Sequence, residues 1–450
     1  MTERTRRPNK GLADLLAEAC WLNGEFARAV NRTGTESGLR LRYDDSAVCH
    51  WLTGTMPRPQ VRAVILETFA RRLHRPVTAR EAGFPLAAEA STEPDPDTVT
   101  GLVEFGSADM DPSRRSVLGA GLYSVAVAVP GWPDNIDRFA RLSRDPHTGI
   151  GYREVEAVVA MTEKISELDD RFGGRAARPM AAAFLVNTIG PYLRADAPPD
   201  VRRAMLSAAA DHCYLTGYMA MDERSDGLAQ GYYIKALELT LAASDHLAYC
   251  TTLRGMSVQA VNLGHAQLSL QLADAASAAS PEAGPRMRAF LAGQQAHAAA
   301  ATGDRNTALM KIGEAEVAME RAEAQAKTFG SYAPSSLSYH LAQVRYELGD
   351  REQSVTHLDE SNHARHDSYQ RYKVLRTALG AERKLELGRL EEACRDWHWA
   401  LDGYAHVQSG RCDDRVNAML AALRPYLRNS NARSVYERGR LLAPSGAKIT

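Results

Sequence analysis

The chain has 450 residues, of which 45% are hydrophobic and 24% charged, with a formal net charge of −1. That length excludes a single ordinary core and asks for two or three domains, while the average globular composition ties the bulk charge to no particular partner. The charge is uneven, however: residues 1–80 hold 14 Lys plus Arg against 8 Asp plus Glu, or +6, which leaves −7 for the remainder. A basic head on an acidic body suggests a polyanion partner for the head alone.

In the head, "NGEFARAVNRTG" predicts a helix with Asn23 as N-cap, Phe26, Ala27 and Val30 on one face, and Arg28, Asn31 and Arg32 turned outward. After an interval from Thr33 to Tyr43, "YDDSAVCHWLTGTMPRP" predicts a short helix. Val48, Trp51 and Leu52 recur at helical spacing there, Gly54 stops it, and Pro57 and Pro59 lie just beyond. A third helix, "QVRAVILETFARRL", turns Val61, Ile65 or Leu66, Phe69 and Leu73 inward. Three or four short helices with excess arginine make a compact bundle of the helix-turn-helix kind.

The run "SAVCHWLTGTMPRP" resembles the recognition helix and following turn of phage-repressor-like helix-turn-helix domains. The resemblance implies that Ser46, Cys49, His50 and Thr53, on the side away from Val48, Trp51 and Leu52, face the major groove of double-stranded DNA. Arg28, Arg32, Arg58 and Arg62 then suit phosphates, which position a protein without reading sequence. The alternation "LRLRY" places Arg40 and Arg42 in a small wing or loop against the backbone. Asp44 and Asp45 open the reading helix, where they cap it, accept from a cytosine amino group or weaken DNA binding.

Residues 85–110 read as a linker, on the Pro, Ala, Ser, Thr and Asp content of segments such as "STEPDPDTVTG". Junction helices are expected over 111–178. Here "DPSRRSVLGAGLYSVAVAVPGW" carries Arg114 and Arg115 before an apolar run, Val117 to Pro130, of 14 residues. The pattern has the look of a twin-arginine export signal, but the run falls short of the roughly 20 residues that span a membrane and lies deep in the chain. It reads as a buried linker helix of a cytoplasmic protein with no membrane partner. "YREVEAVVAMTEKISELDDRFGG" follows as a helix closed by Gly173 and Gly174.

From about residue 198 the chain repeats a helix, a short Gly or Asp turn and a second helix, with Gly264, Gly303, Gly349 and Gly388 spaced 39, 46 and 39 apart. The period is slightly longer than the roughly 34 residues of a tetratricopeptide (TPR) unit. "AHAAAATGDRNTALMKIGEAE" and "LELGRLEEACRDWHWAL" resemble TPR repeats, and "RVNAMLAALRPYLRNSNARSVYERGRLL" looks like a terminal capping hairpin. The expected fold is therefore all-α: a helix-turn-helix bundle over 1–84 and an α-solenoid of TPR-like hairpins over 179–443, with a tail over 444–450. First helices of such hairpins line a concave groove. By that phase Tyr214, Tyr218, Arg254, Asn262, His297, Tyr339, Gln343, Tyr346 and Glu382 point into it and suit a peptide, small molecule or protein segment.

Six cysteines, Cys20, Cys49, Cys213, Cys250, Cys394 and Cys412, show no paired spacing and read as thiols in a reducing compartment. His363 and His366 in "HARH" are the nearest thing to a metal pair and read as a surface helix pair. The chain has no G-x-x-x-x-G-K-[ST], G-x-S-x-G or H-E-x-x-H, so no enzyme, cofactor or metal is expected. Head and body together are similar to actinomycete regulators with an N-terminal helix-turn-helix and a C-terminal TPR domain, and distantly to peptide-sensing regulators of Gram-positive bacteria. That likeness implies a homodimeric transcriptional regulator whose groove ligand shifts the DNA-binding heads through a hinge. The alternative is a TPR scaffold or adaptor that does not bind DNA.

Overall fold

The computed structural model describes residues 8–36, 39, 41–73, 75, 77–84, 97–111, 123–125, 145–279, 283–322, 332–363 and 369–443, with the backbone alone at 145–148. The chain forms two compact units, one from Met1–Pro96 and Asp111–Val129, the other from Asp97–Met110 and Pro130–Thr450.

The first unit is a small helical bundle of α1 (Lys10–Glu18), α2 (Asn23–Glu36), α3 (Asp45–Leu52) and α4 (Pro59–Leu73). Its core gathers Leu12, Leu15, Phe26, Val30, Val48, Trp51, Val61, Ile65 and Phe69. Phe26 stacks on Phe69 with centroids 4.6 Å apart, and Trp51 meets Tyr43 edge-on at 4.8 Å. Leu66 and Leu73 are only half-buried, so Val64 and Ile65 take the inward positions of α4.

Polar contacts correct the expected details. Leu22, not Asn23, is the N-cap of α2: its carbonyl accepts from Phe26 N–H at 3.0 Å, and its N–H is taken by Glu25 Oε2 at 3.0 Å. Asn31 is not an outward recognition residue. Its amide receives Tyr43 N–H at 2.9 Å and donates to the Tyr43 carbonyl at 2.8 Å, which pins the α2–α3 connection back onto α2. Leu41 packs against Gly34, where an added Cβ would meet Leu41 Cδ1 at 2.4 Å. Asp44 caps α3 by accepting from Ala47 N–H at 3.0 Å. Buried Glu67 accepts from Arg71 Nε at 2.8 Å and from Val125 N–H at 3.0 Å, so Tyr123–Val125 lies on α4. The rest of the expected linker helix over 112–130, with Arg114 and Arg115, lies outside the described residues.

The second unit opens with α5 (Thr98–Met110), so the end of the expected linker is instead a packed helix. Asp97 Oδ1 caps its start on Val99 and Thr100 N–H, both at 2.9 Å. At its other end Asp109 is fully buried, bound to the Tyr232 hydroxyl at 2.8 Å and paired with Arg178, which also holds Glu223 at 2.6 Å. Then come α6 (Tyr152–Phe172) and α7 (Gly174–Phe184), continued through a π-turn, Leu185–Ile189, into α8 (Gly190–Arg194). Strand β1 (Asp145–Gly149) pairs in parallel with β2 (Ala195–Asp196), a short non-helical feature beside an otherwise helical architecture.

Helix hairpins follow in series. They pair α9 (Pro199–Asp222) with α10 (Asp226–Ala243), α11 (His246–Asn262) with α12 (Ala266–Ala278), and α13 (Pro285–Thr302) with α14 (Arg305–Glu320). Next are α15 (Pro334–Glu347) with α16 (Arg351–His363), α17 (Gln370–Glu386) with α18 (Leu390–Tyr404), and the terminal α19 (Gly410–Leu423) with α20 (Ser430–Leu442). Gly264, Gly303, Gly349 and Gly388 turn four of the hairpins at φ of 80, 85, 87 and 77°, a left-handed backbone that a Cβ disfavours. Small residues bring paired helices close, as where Ala296, Ala299 and Ala300 meet Ala308 and Ala315.

The series does not end as an open stack, because α17 packs on α6. Arg371 of α17 is fully buried and reaches Asp169 at 2.5 Å and Asp170 at 3.4 Å on α6, and Asp222 at 3.3 Å at the end of α9. Beside it, Gln408 N–H donates to the Phe172 carbonyl at 2.7 Å, Arg175 N–H to the Gln408 carbonyl at 3.2 Å, and the Ser409 hydroxyl to Asp222 Oδ1 at 2.8 Å. At Gly173, φ is 91° and a Cβ would sit 2.4 Å from the Gln408 carbonyl oxygen, so only glycine fits this seam. Arg371→Ala leaves buried carboxylates uncompensated and should cost about 3–5 kcal/mol of stability. The expected outcome is a lower melting temperature by circular dichroism, partly restored when Asp169→Asn is added.

Candidate functional site

Between the joined ends of the array lies a partly open cavity of about 820 Å³, lined from α6, α9, α11, α13, α15, α17 and α19. Seven of the nine expected groove residues line it: Tyr214, Tyr218, Arg254, Asn262, His297, Tyr339 and Gln343. Tyr346 and Glu382 do not. Tyr346, one turn beyond Gln343, donates to Glu386 Oε1 at 2.8 Å beneath the Arg383 guanidinium 4.1 Å from its ring. Glu382 accepts from Arg415 at 2.7 Å. Sequence reasoning missed other lining groups, among them Gln294, Tyr332, His340, Arg371, Tyr372, Arg376 and Arg411. The detectable signal was the position of Arg371 in the same helical phase as Val374, Leu375 and Ala378, where a core residue is expected.

Cations on aromatic faces dominate the wall. Arg254 lies 4.2 Å from the Phe290 ring centroid, Arg376 4.6 Å from Tyr339, and Arg371 4.7 Å from Tyr372. Tyr218 and Tyr372 share a 2.5 Å hydroxyl contact. Burial raises the Tyr218 phenol, but the positive charges of Arg411 and Arg371 outweigh it and hold its pKa below the ordinary value. Burial, opposed by Arg371 and Arg411 and assisted by Asp222 and Asp170, lifts the Asp169 carboxyl to about 7. His297 is pushed down to about 4 by burial and by Arg383 and Arg254, and His340 falls well below its ordinary range for similar reasons. Both rings are therefore neutral at pH 7.

In the first unit, Ser46, Cys49, His50 and Thr53 all lie on the exposed side of α3, while Val48 and Trp51 are buried. Two of them also have internal partners: Cys49 Sγ receives Asn23 Nδ2 at 3.3 Å, and the Thr53 hydroxyl donates to the His50 carbonyl at 3.0 Å. Arg28, Arg32, Arg42 and Arg58 are exposed, with no ion-pair partner among the described residues. Arg62 is half-buried, its Nε donating to the Pro57 carbonyl at 2.9 Å, and Arg40 lies outside the described residues. Arg71 and Arg75, in contrast, are tied to Glu36, Glu67, Glu18 and Glu81.

Among the described residues, no group of three or more His, Cys, Asp and Glu is placed to hold a metal ion. His363 Nδ1 contacts the Asp359 carbonyl at 2.6 Å, and His366 lies outside the described residues. All six cysteines are free thiols, with Cys20 and Cys49 exposed. No described helix is long and apolar enough to cross a membrane.

A family model for the SP15 N-terminal domain matches residues 12–85. The match takes in α1 to α4 and the turn that ends at Phe84, and leaves the hairpin array outside it. No curated protein matches the chain.

Buried neutral histidine contributes one acid-sensitive element to the array. His212 accepts no solvent: its Nδ1 contacts the Thr162 hydroxyl and its Nε2 the Ala181 carbonyl, both at 2.9 Å, and burial lowers its pKa to about 4. The unfolded chain binds that proton near pH 6.5 and the folded chain does not. Stability present above pH 6.5 is thus lost as pH falls toward 4, by about 3 kcal/mol per such histidine. Asp169, whose raised carboxyl takes up its proton in the fold over the same window, acts in the opposite direction, so the measurement is a difference. The wild-type urea midpoint should fall relative to that of His212→Gln as pH drops from about 6.5 to about 4.

Proposed function

We propose that the protein is a DNA-binding transcriptional regulator, acting as a homodimer, in which the first unit is a helix-turn-helix head and the hairpin array is a TPR-like domain that senses a ligand. The observation that carries this reading is the contrast among the arginines of the head. Arg71 and Arg75 are held by carboxylates and Arg62 and Arg72 by backbone carbonyls, whereas Arg28, Arg32, Arg42 and Arg58 stand exposed and free of ion pairs among the described residues, beside a short helix with a polar outer face.

Helix α3 is about 12 Å long at 1.5 Å per residue, a size the major groove admits. Ser46 and His50 supply donors and acceptors for base edges, and the four arginines supply phosphate contacts that set the register. One helix this short reads few bases, so two heads on two half-sites supply the missing specificity. A ligand in the array changes DNA affinity by binding one arrangement of the dimer better than another.

The test is binding to selected genomic fragments as a function of salt. Arg28→Glu, Arg32→Glu and Arg58→Glu together should weaken binding by at least about tenfold and reduce the salt slope by about one per lost phosphate contact. His50→Ala should relax sequence preference more than it lowers non-specific binding. Unchanged DNA affinity after triple charge reversal would assign the head to protein docking instead.

A further inference from the structure

We infer that the cavity takes a small organic anion, a compact molecule with a carboxylate or phosphate beside a ring or other flat body, held by Arg411 and Arg254. This deepens the ligand-sensing reading above and rests on it.

Charge pairing around the wall carries the inference. Asp169, Asp170 and Asp222 are engaged by Arg371, Asp414 by Arg224, and Glu382 by Arg415. Arg411 makes no direct ion pair among the described residues, although Asp222 acts on it through space, and its Nη1 is buried without a hydrogen bond. Arg254 touches neutral groups, the Phe290 face at 4.2 Å, His340 Nε2 at 3.4 Å and the Tyr214 side chain, and its Nε is likewise buried and unmatched. Neither guanidinium is in direct contact with a carboxylate, and each lines the cavity with a buried nitrogen that has no hydrogen bond, which an incoming anion can engage.

Neighbouring groups define the rest of the ligand. Gln294 is 1% exposed and donates to the Ser257 hydroxyl, which leaves its buried Oε1 as an acceptor with no partner. It suits an N–H or O–H on the ligand. Tyrosine and phenylalanine faces suit a flat body. The volume of about 820 Å³ falls within the roughly 300–1,000 Å³ that enclose a drug-sized molecule. Because α17 joins α6, the cavity has a wall on that side while remaining partly open to solvent, which suits a compact ligand with a way in.

Titration calorimetry of the full chain with benzoate, phenyl phosphate and benzamide tests this. Benzoate or phenyl phosphate should bind, and whichever binds identifies the anionic group; uncharged benzamide should bind at least about tenfold more weakly, as expected for loss of a charge-assisted contact. Arg411→Gln and Arg254→Gln should each weaken at least one anion about tenfold, with Arg411→Lys retaining part of the affinity. Should Arg254→Gln fail to fold, Arg411→Gln and the benzoate–benzamide contrast decide. Benzamide binding as tightly as benzoate, wild-type affinity in both Gln variants, no heat from either anion at millimolar concentration, or binding only of an uncharged end-blocked hexapeptide would overturn the inference. DNA binding is measured separately on the same preparations, so failure of the DNA reading and failure of the anion site are told apart.

Discussion

Everything in the larger unit depends on one buried cation. The Arg371 guanidinium lies among Asp169, Asp170 and Asp222, which come from two different helices near the start of the array, while Arg371 itself comes from near its end. Taking such charges out of water is expensive, and the opposite charges gathered on one guanidinium offset part of that cost. Asp222 shows the economy of the arrangement: it also accepts from Gly174 N–H at 3.0 Å and from the Ser409 hydroxyl at 2.8 Å. Geometry this demanding is a poor source of net stability but a good source of uniqueness, since a shift of one helical turn would strand all four charges. The shape of the cavity follows from where this contact places α17 against α6.

The smaller unit uses the same logic at a smaller scale. Asn31 fastens the connection before α3, and Glu67 with Arg71 fastens Tyr123–Val125 to α4. Each of these polar groups is engaged inward, and what they leave outward is the row Ser46, Cys49, His50 and Thr53 with its exposed arginines. The face proposed for DNA is thus defined by subtraction. The side chains that could have served either purpose are sorted by whether a backbone group needed them.

Much of this was legible in local pattern, and the failures share one cause. Val48 and Trp51 at helical spacing, Gly54 after them, and the four turn glycines all encode local backbone or burial demands, so periodicity finds them. Seven groove residues were found in the same way, because facing the cavity is a matter of helical phase. Tyr346 and Glu382 have the phase but not the depth, which depends on how far along each helix the wall extends. Asn31 looked outward because its partner, Tyr43, is across a connection of unreadable conformation. Helix α5 was mistaken for linker because "STEPDPDTVTG" blends into it, and its anchor, Asp109, is matched by Arg178 and Tyr232 at separations of 69 and 123 residues. No window of sequence shows such pairings. Closure of the array, with 202 residues between Arg371 and Asp169, is the extreme case.

That separation has a consequence for how the protein is made. An open stack of hairpins grows during synthesis, each new pair settling on the one before it. Here the first wall of the array emerges with a carboxylate cluster whose cation has not yet been translated. At roughly 5–20 residues per second, the 202 intervening residues take on the order of 10–40 s. Over that stretch of synthesis the carboxylates of α6 wait for the cation that the finished fold buries among them.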